Sequence, residues 1–244
     1  MSCVLSGMIM SLLILSLSPN FDVREVSFPS ADGTVIHADF YKKDGSGRNM
    51  AVLFHQMGSS GKEYETIAAK LLEMGYDCLA PDMRGGGNLF GSHRNIGDAS
   101  LPAPERAELG YQDMQATMKW VKANEPRKQM IVWGSSYSAG LVFPLVVGEQ
   151  NVSALLSFSP TTPSFNKRMV FDGIDIPIFI TMPQNEEASR AEMMKMLKFP
   201  NVTHFKQHGG VHGSSTVIES KNSTGAKENW DAVVKFLNSL DSIK

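Results

Sequence analysis

One segment of the chain places a serine where a reactive side chain would be exposed. The predicted strand 129–133, apolar from Met130 onward, leads through the stretch 134–138 into an apolar helical segment. A serine in a sharp strand-to-helix turn needs small residues two positions before and after it, because the backbone there passes close to itself. Ser136 has Gly134 and Ser138 at those positions. The pattern therefore predicts a nucleophilic serine at Ser136.

Two other interpretations of this segment were weighed. Ser135 is excluded as the nucleophile because its neighbours at the same offsets are aromatic residues. Ser138 stays an alternative, with Ser136 and Gly140 at those offsets, but it would require the strand to continue through residue 135. A phosphate-binding loop would also be rich in glycine and serine, yet the segment lacks the Walker lysine and the G-x-G-x-x-G pattern.

A serine nucleophile needs a histidine to accept its proton. Of six histidines, His212 is the best placed, in a glycine-rich loop after the last predicted strand and before the C-terminal helix. Glycine permits the sharply turned, exposed backbone that such a loop needs. His208 opens the same loop and is the alternative base. His55 reads as a structural hydrogen-bonding residue.

The histidine in turn needs an acid that fixes its tautomer. In this chain order the acid should follow the strand that precedes the histidine loop, predicted over residues 176–181. Glu186 falls in the turn after that strand and is favoured over Glu187, which we expect to begin the next helix, where a carboxylate often serves only the helix dipole. Asp172 and Asp175 are weaker alternatives because they lie before the strand.

Backbone N–H groups must also stabilise the oxyanion of the reaction. By convention they belong to the residue after the nucleophile and to the loop after the third strand. These positions are Tyr137 and Met57, the latter in the small-residue stretch 55–61.

The elements that would position these residues alternate along the chain. Two β-rich runs, 23–28 and 34–41, flank an Asp-Gly pair typical of a hairpin. After them, short apolar runs alternate with amphipathic segments, which predicts parallel strands covered by helices on both faces. Strands are expected over 50–54, 76–80, 129–133, 152–158, 176–181 and 202–207, and helices over 64–74, 111–123, 139–147, 187–197 and 226–240. Loops 84–104, 160–175 and 208–225 all follow strands and should frame one site.

Composition narrows the class of partner. The chain of 244 residues has a formal net charge of −2, which gives no electrostatic case for nucleic acid or an anionic membrane. Only two cysteines occur, Cys3 and Cys78, too few for a zinc cluster or a disulfide framework. We therefore expect a small-molecule partner, no metal and no cofactor.

The N-terminus has a separate character. Residues 4–17 are apolar apart from serine and glycine and are short for a spanning helix. They suit the apolar core of a signal peptide but lack its basic N-terminal residues. We expect residues 1–22 to be a signal peptide or a disordered N-terminus, with a secreted or periplasmic location favoured over a cytoplasmic one, and no stable membrane span. Residues 23–244 would form one domain.

Taken together, the motifs resemble the α/β-hydrolase superfamily, in particular its dienelactone-hydrolase-like and small esterase members. The matching stretches occur in the family's order, at 55–58, 81–85, 134–138 and 212–213. The resemblance implies an eight-stranded, mostly parallel sheet, a Ser-acid-His triad and hydrolysis without a cofactor. Three departures stand out: Gln56 replaces a usual Gly, Ser138 replaces the second Gly of G-x-S-x-G, and the acid is Glu instead of Asp.

The same resemblance bears on the substrate. Relatives often insert a cap between Ser159 and Ile176, but here the interval is too short for a large lid. We expect a shallow site that takes small esters or lactones, with Phe90, His93, Phe165 and Tyr137 as substrate contacts. A thioesterase or peptidase, and a ligand-binding module without catalysis, are the alternative functions.

Overall fold

A computed structural model describes residues 21–43, 49–95, 100–126, 129–162, 173–197 and 200–240. The strands are β1 (Asp22–Pro29), β2 (Val35–Lys42), β3 (Asn49–Phe54), β4 (Tyr76–Pro81), β5 (Gln129–Ser135), β6 (Val152–Phe158), β7 (Ile178–Met182) and β8 (Val202–Lys206). The helices are α1 (Glu65–Glu73), α2 (Ala103–Asn124), α3 (Tyr137–Val146), α4 (Gln184–Met196) and α5 (Ala226–Leu240), with short 3₁₀ helices at Gly61–Tyr64 and Gly213–Val217.

All eight strands form one sheet in the order β1-β2-β4-β3-β5-β6-β7-β8. Only β2 runs against the others: it pairs antiparallel with both β1 and β4, and the remaining pairs are parallel. Because β3 to β8 point the same way, the loops after β3, β5, β6, β7 and β8 leave from the same edge of the sheet. Any residues that these loops carry are brought together there.

Helices cover both faces of the sheet. One face packs apolar side chains against α2, α3 and α4, and the other packs against α1 and α5. The central strands are therefore buried on both sides, which explains why β3, β4 and β5 read as nearly continuous apolar runs. The predicted α/β-hydrolase architecture, with about eight mostly parallel strands and helices on both faces, is confirmed.

A buried ion pair fixes α2 to the start of the sheet. The Arg84 guanidinium, in the loop after β4, donates to both carboxylate oxygens of Asp113 on α2, the shortest contact being 2.8 Å. It also reaches Ser30 and Asp32 in the turn between β1 and β2. Since Asp113 is fully buried, the pairing compensates the desolvation of both charges. It ties the middle of α2 to the loop after β4 and to the turn between β1 and β2.

Two helix boundaries differ from the sequence prediction. Helix α2 begins at Ala103, eight residues before the predicted start. The prediction began too late because the first turns carry exposed charged residues and lack the regular apolar spacing of an amphipathic helix. Pro104 is tolerated there, since N–H groups of a first turn have no helical partner. Helix α4 begins at Gln184, so Glu186 lies in its first turn and not in the preceding loop.

Several predictions fall outside the described residues. Residues 1–20, with the signal-peptide prediction, and residues 163–172, with Phe165 and Asp172, belong to this group. Within the described ranges, no helix combines the length and apolar character that crossing a bilayer requires.

Candidate active site

Ser136 occupies a strained turn between β5 and α3. Its backbone has φ 60° and ψ −115°, a region that residues other than glycine rarely adopt. The turn is tight: a Cβ on Gly134 would lie 2.7 Å from Ala139 Cα and 2.7 Å from Ser138 O. The Ser136 N–H donates to Phe158 O of β6 at 2.8 Å, which holds the turn to the sheet. This is the geometry of a nucleophile elbow.

Ser138, which replaces the usual second glycine of the motif, is part of this turn. Its hydroxyl donates to Phe54 O at 2.6 Å and accepts from the Ser135 N–H at 2.9 Å. The hydroxyl therefore connects the elbow to the end of β3. With its oxygen fully engaged inside the protein, Ser138 is not the exposed serine of this segment.

The structure brings Ser136, His212 and Glu186 into one hydrogen-bonded chain. His212 Nε2 lies 2.7 Å from Ser136 Oγ, and His212 Nδ1 lies 2.6 Å from Glu186 Oε1. An ionised carboxylate can only accept, so the Nδ1–H donates to Glu186. Nε2 is then unprotonated and accepts the hydrogen of the Ser136 hydroxyl. In this arrangement the imidazole can remove the serine proton.

Glu186 is held as an anion. Burial of the carboxyl opposes ionisation, but the hydrogen bond from His212 and the charge of His212 outweigh burial, and the pKa of Glu186 is lowered. Arg190, one turn along α4, adds a positive charge 4.0 Å from Glu186 Oε2. The position in the first turn of α4 also places the carboxylate at the positive end of the helix dipole.

The alternative residues lie elsewhere. His208 is 84% exposed in its side chain and bonds Glu228. Glu187 acts electrostatically on His204, away from His212. Asp175 is exposed before β7. Among the acids and bases weighed from the sequence that the structure describes, His212 is the one that contacts Ser136, and Glu186 is the acid that contacts His212.

The two backbone N–H groups predicted as oxyanion donors have no acceptor among the described residues. Tyr137 begins α3, so its N–H has no intrahelical partner. In the loop after β3, the N–H groups of Gln56 and Gly58 donate to Glu63 and to Gly85 O, whereas the described residues offer Met57 N–H no acceptor. His55 fixes this loop, because its ring bonds both Gln56 O and the Met83 N–H.

A cavity of about 170 Å³ adjoins these two residues. The walls of the cavity are formed by helix α2, helix α3 and the start of the loop after β6. The residues that line it are Met57, Ala103, Pro104, Ala107, Tyr137, Leu141, Thr161 and Thr162. A larger surface cleft of about 510 Å³ lies between α2 and α3. None of the three hydrogen-bonded residues lines either space, but the smaller cavity is lined by Tyr137, the residue after Ser136.

Only one of the predicted substrate contacts that the structure describes lines this cavity, namely Tyr137. Phe90 packs against the core on the α1 and α5 face, with the Lys221 ammonium 4.8 Å from its ring centre. His93 is buried and bonds Met83 O and the Asn95 N–H through its two nitrogens. Neither residue lines the cavity: the Phe90 side chain contacts the α1 and α5 face, and the His93 ring is bonded within the loop after β4.

Sequence reasoning missed one buried acid at this site. Glu63 is 1% exposed, and its Oε1 accepts from Ser135 Oγ at 2.6 Å while its Oε2 accepts from the Gln56 N–H at 2.9 Å. Burial raises the pKa of Glu63 to about 7. The sequence feature that could have identified Glu63 was an acid soon after the small-residue loop 55–61, but an exposed helix N-terminus gives the same sequence pattern. The described residues hold no cluster of three or more His, Cys, Asp or Glu side chains suited to a metal.

The sequence matches the model of the dienelactone hydrolase family over residues 36–240. The chain belongs to this family. Membership assigns it to the hydrolases that act on esters. Among curated proteins, none matches the sequence of this dienelactone hydrolase family member.

Solved structures with the same fold are distant in sequence. An esterase from Pyrococcus furiosus is 19% identical, with a TM-score of 0.63 over 91% of this chain and 92% of its own. A dienelactone hydrolase-like promiscuous phosphotriesterase from metagenomic libraries is 15% identical, with a TM-score of 0.67 over 91% and 99%. Est1E from Butyrivibrio proteoclasticus with bound ferulic acid is 14% identical, with a TM-score of 0.68 over 89% and 99%. At these identities the likeness concerns the fold alone.

The close approach at Gly134 makes a first prediction. Gly134→Ala should destabilise the protein by about 3 kcal/mol, because the new methyl group meets backbone atoms that cannot move aside. Gly209→Ala is the matched control: its Cβ would meet its nearest atom at 3.7 Å, an ordinary contact. Urea unfolding of both variants measures the difference. Equal stabilities would contradict the tight turn.

The buried carboxyl of Glu63 makes a second prediction. In the folded protein this group keeps its proton to about pH 7, whereas its ordinary pKa is 4.5. Between pH 4.5 and about pH 7 the folded state therefore keeps a proton that the unfolded state has lost, and the free energy of unfolding falls as the pH rises through this range. Relative to Glu63→Gln, the wild-type free energy of unfolding should drop by roughly 3 kcal/mol between pH 4.5 and 7.5. Urea titrations across this range test it, and a pH-independent difference would refute it.

Proposed function

We propose that this dienelactone hydrolase family member is a serine hydrolase that cleaves small carboxylic esters or lactones through an acyl-enzyme on Ser136. The observation that carries the proposal is the hydrogen-bonded chain from Ser136 Oγ through His212 to Glu186, with distances of 2.7 and 2.6 Å. A strained serine whose hydroxyl faces an unprotonated imidazole nitrogen is the arrangement that activates a hydroxyl for attack.

The geometry supports the following sequence of steps. His212 Nε2 accepts the Ser136 proton as Oγ bonds to the ester carbonyl carbon, and Glu186 stabilises the imidazolium. The carbonyl oxygen becomes an oxyanion that accepts hydrogen bonds from the N–H groups of Tyr137 and Met57. The C–O bond to the alcohol breaks as His212 returns its proton to the leaving oxygen. Water, deprotonated by the same histidine, then attacks the acyl-enzyme and releases the acid.

The cavity lined by Tyr137 and Met57 supports a small substrate group. Its volume of about 170 Å³ is well below the roughly 300 Å³ at which sites for drug-sized ligands begin. Its walls are largely apolar side chains on two helices, with Ala107 of α2 and Leu141 of α3 both buried. These contacts suit a short alkyl chain and leave no depth for a long one.

A fluorophosphonate tests the serine mechanism. The reagent should modify wild-type protein on Ser136, as located by peptide mass spectrometry, and should not modify Ser136→Ala. His212→Ala and Glu186→Gln should lower the hydrolysis of 4-nitrophenyl acetate by roughly 10²- to 10⁴-fold, because each removes a group that prepares the nucleophile.

The sequence offers matched controls for these variants. His208→Ala and Glu187→Gln remove the same side-chain types from the same two segments, and both should retain wild-type activity. A folded wild-type protein that is neither labelled nor active would overturn the proposed mechanism in favour of a ligand-binding module.

The acyl-chain preference is a separate prediction. 4-Nitrophenyl acetate and butyrate should have higher kcat/KM than the octanoate. Ala107→Leu should lower the ratio of kcat/KM for butyrate to kcat/KM for acetate by about 10-fold or more, because each displaced methylene is worth about 1 kcal/mol or more. Glu108→Leu, which adds the same side chain at the exposed neighbouring position, should leave the ratio unchanged. A preference for octanoate in the wild type would contradict the small-pocket argument.

A further inference from the structure

The buried carboxyl of Glu63 lies beneath the catalytic residues and contacts none of the substrate-facing groups. It is 1% exposed, although it lies only two residues after the glycine-serine stretch 58–61 of the loop that follows β3. No Lys or Arg in the described chain forms a salt bridge with it. A carboxyl buried without a counter-charge costs free energy, so its retention calls for a specific role.

Glu63 connects three separate loops of the site. Its Oε2 accepts from the N–H of Gln56, the residue before Met57. Its Oε1 accepts from the hydroxyl of Ser135, the residue before the nucleophile. The same Ser135 oxygen accepts from the N–H of Ser214, two residues after His212, at 2.9 Å. The oxyanion loop, the nucleophile and the base therefore each lie within two residues of a bond to this carboxyl or to the hydroxyl it orients.

The direction of these bonds requires an acceptor at both carboxyl oxygens. Ser135 has one hydroxyl hydrogen, which goes to Glu63, while its oxygen receives the Ser214 N–H. The Gln56 N–H can only donate. A carboxylate satisfies every partner, whereas an amide in its place must direct an NH₂ group at either the Gln56 N–H or the Ser135 oxygen.

The packing around Ser135 is tight enough to transmit a displacement. Gly213, next to the base, has φ 66°, and a Cβ there would lie 2.6 Å from Ser135 Oγ. The histidine loop thus rests directly on the hydroxyl that Glu63 holds. A positively charged His212 also attracts the carboxylate, since its charge lowers the pKa of Glu63 against the larger effect of burial. Above about pH 7, where Glu63 has lost its proton, the buried anion therefore favours the imidazolium that the reaction forms.

We propose that Glu63 is a positioning residue of the active site, which acts through Ser135 and Gln56 to fix the distances between nucleophile, base and oxyanion donors. The inference rests on the proposed serine mechanism. Misplacement of a catalytic group by about 1 Å can lower the rate 10²-fold without changing ground-state binding. Glu63 thus helps to set the positions of the catalytic groups in the transition state, although it touches neither the substrate nor the nucleophile.

Glu63→Gln at pH 8 tests the inference, because the exchange keeps the shape of the side chain and removes one acceptor. Glu65→Gln is the matched control, an exposed acid two residues later at the start of α1. Activity on 4-nitrophenyl acetate is normalised to the sites that a fluorophosphonate labels at completion, so unfolded protein does not contribute. We expect kcat per site to fall by about 10²-fold in Glu63→Gln, with KM within about twofold, and no change in Glu65→Gln.

A double-mutant cycle asks whether Glu63 acts through Ser135. Ser135→Ala removes the hydroxyl that links the elbow and the histidine loop to the carboxyl. If the path is shared, the loss in Glu63→Gln/Ser135→Ala is smaller than the product of the two single losses. A loss equal to that product means that Glu63 acts by another route and overturns the proposed path.

The remaining outcomes separate this inference from the mechanism beneath it. If Ser136 is labelled and Glu63→Gln keeps kcat per site within threefold of the wild type, the positioning role is refuted and the serine mechanism stands. A KM increase that accounts for the whole loss also refutes the positioning role, because it indicates a change in substrate binding. Absence of labelling in folded wild-type protein refutes the serine mechanism itself.

Discussion

The backbone conformation of Ser136 is the constraint on which the site depends. A residue other than glycine at φ 60° costs free energy, and the surrounding contacts must maintain it. Here the Ser136 N–H bonds to β6, the missing side chain of Gly134 allows α3 to approach, and the Ser138 hydroxyl bonds the end of β3. These three contacts come from different elements, so the turn exists only within the completed sheet.

Parallel strand order brings the partners of Ser136 to the same edge. Glu186 and His212 follow β7 and β8, which are the second and third strands from β5. Neighbouring strands lie about 4.8 Å apart, so both residues must reach back across the edge toward the serine. Ser159, which follows the intervening β6, supports this approach. Its backbone has φ 52°, and its hydroxyl accepts a hydrogen bond from the Gly213 N–H at 3.0 Å. A second strained serine thus holds the base loop in place.

The departures from the family's usual motif fit this local structure. Ser138 uses its hydroxyl where a glycine would have left the Ser135 N–H and the Phe54 carbonyl without this bond. Gln56 needs no special backbone conformation, whereas Gly58, with φ 76°, supplies the turn in that loop. The loop is then fixed by polar contacts, from the His55 ring on one side and the Glu63 carboxylate on the other.

The sequence by itself determined the fold class, because alternating apolar runs and amphipathic segments encode a sheet covered on both faces. It also selected Ser136, Glu186 and His212 as candidates, since small neighbours and position after a strand are local properties. The extent of α2, the inward engagement of His93 and the burial and bonding of Glu63 were decided only by tertiary structure. Each depends on which groups, distant in sequence, contact a polar side chain in the folded chain. A local hydrophobicity pattern contains no information about such partners.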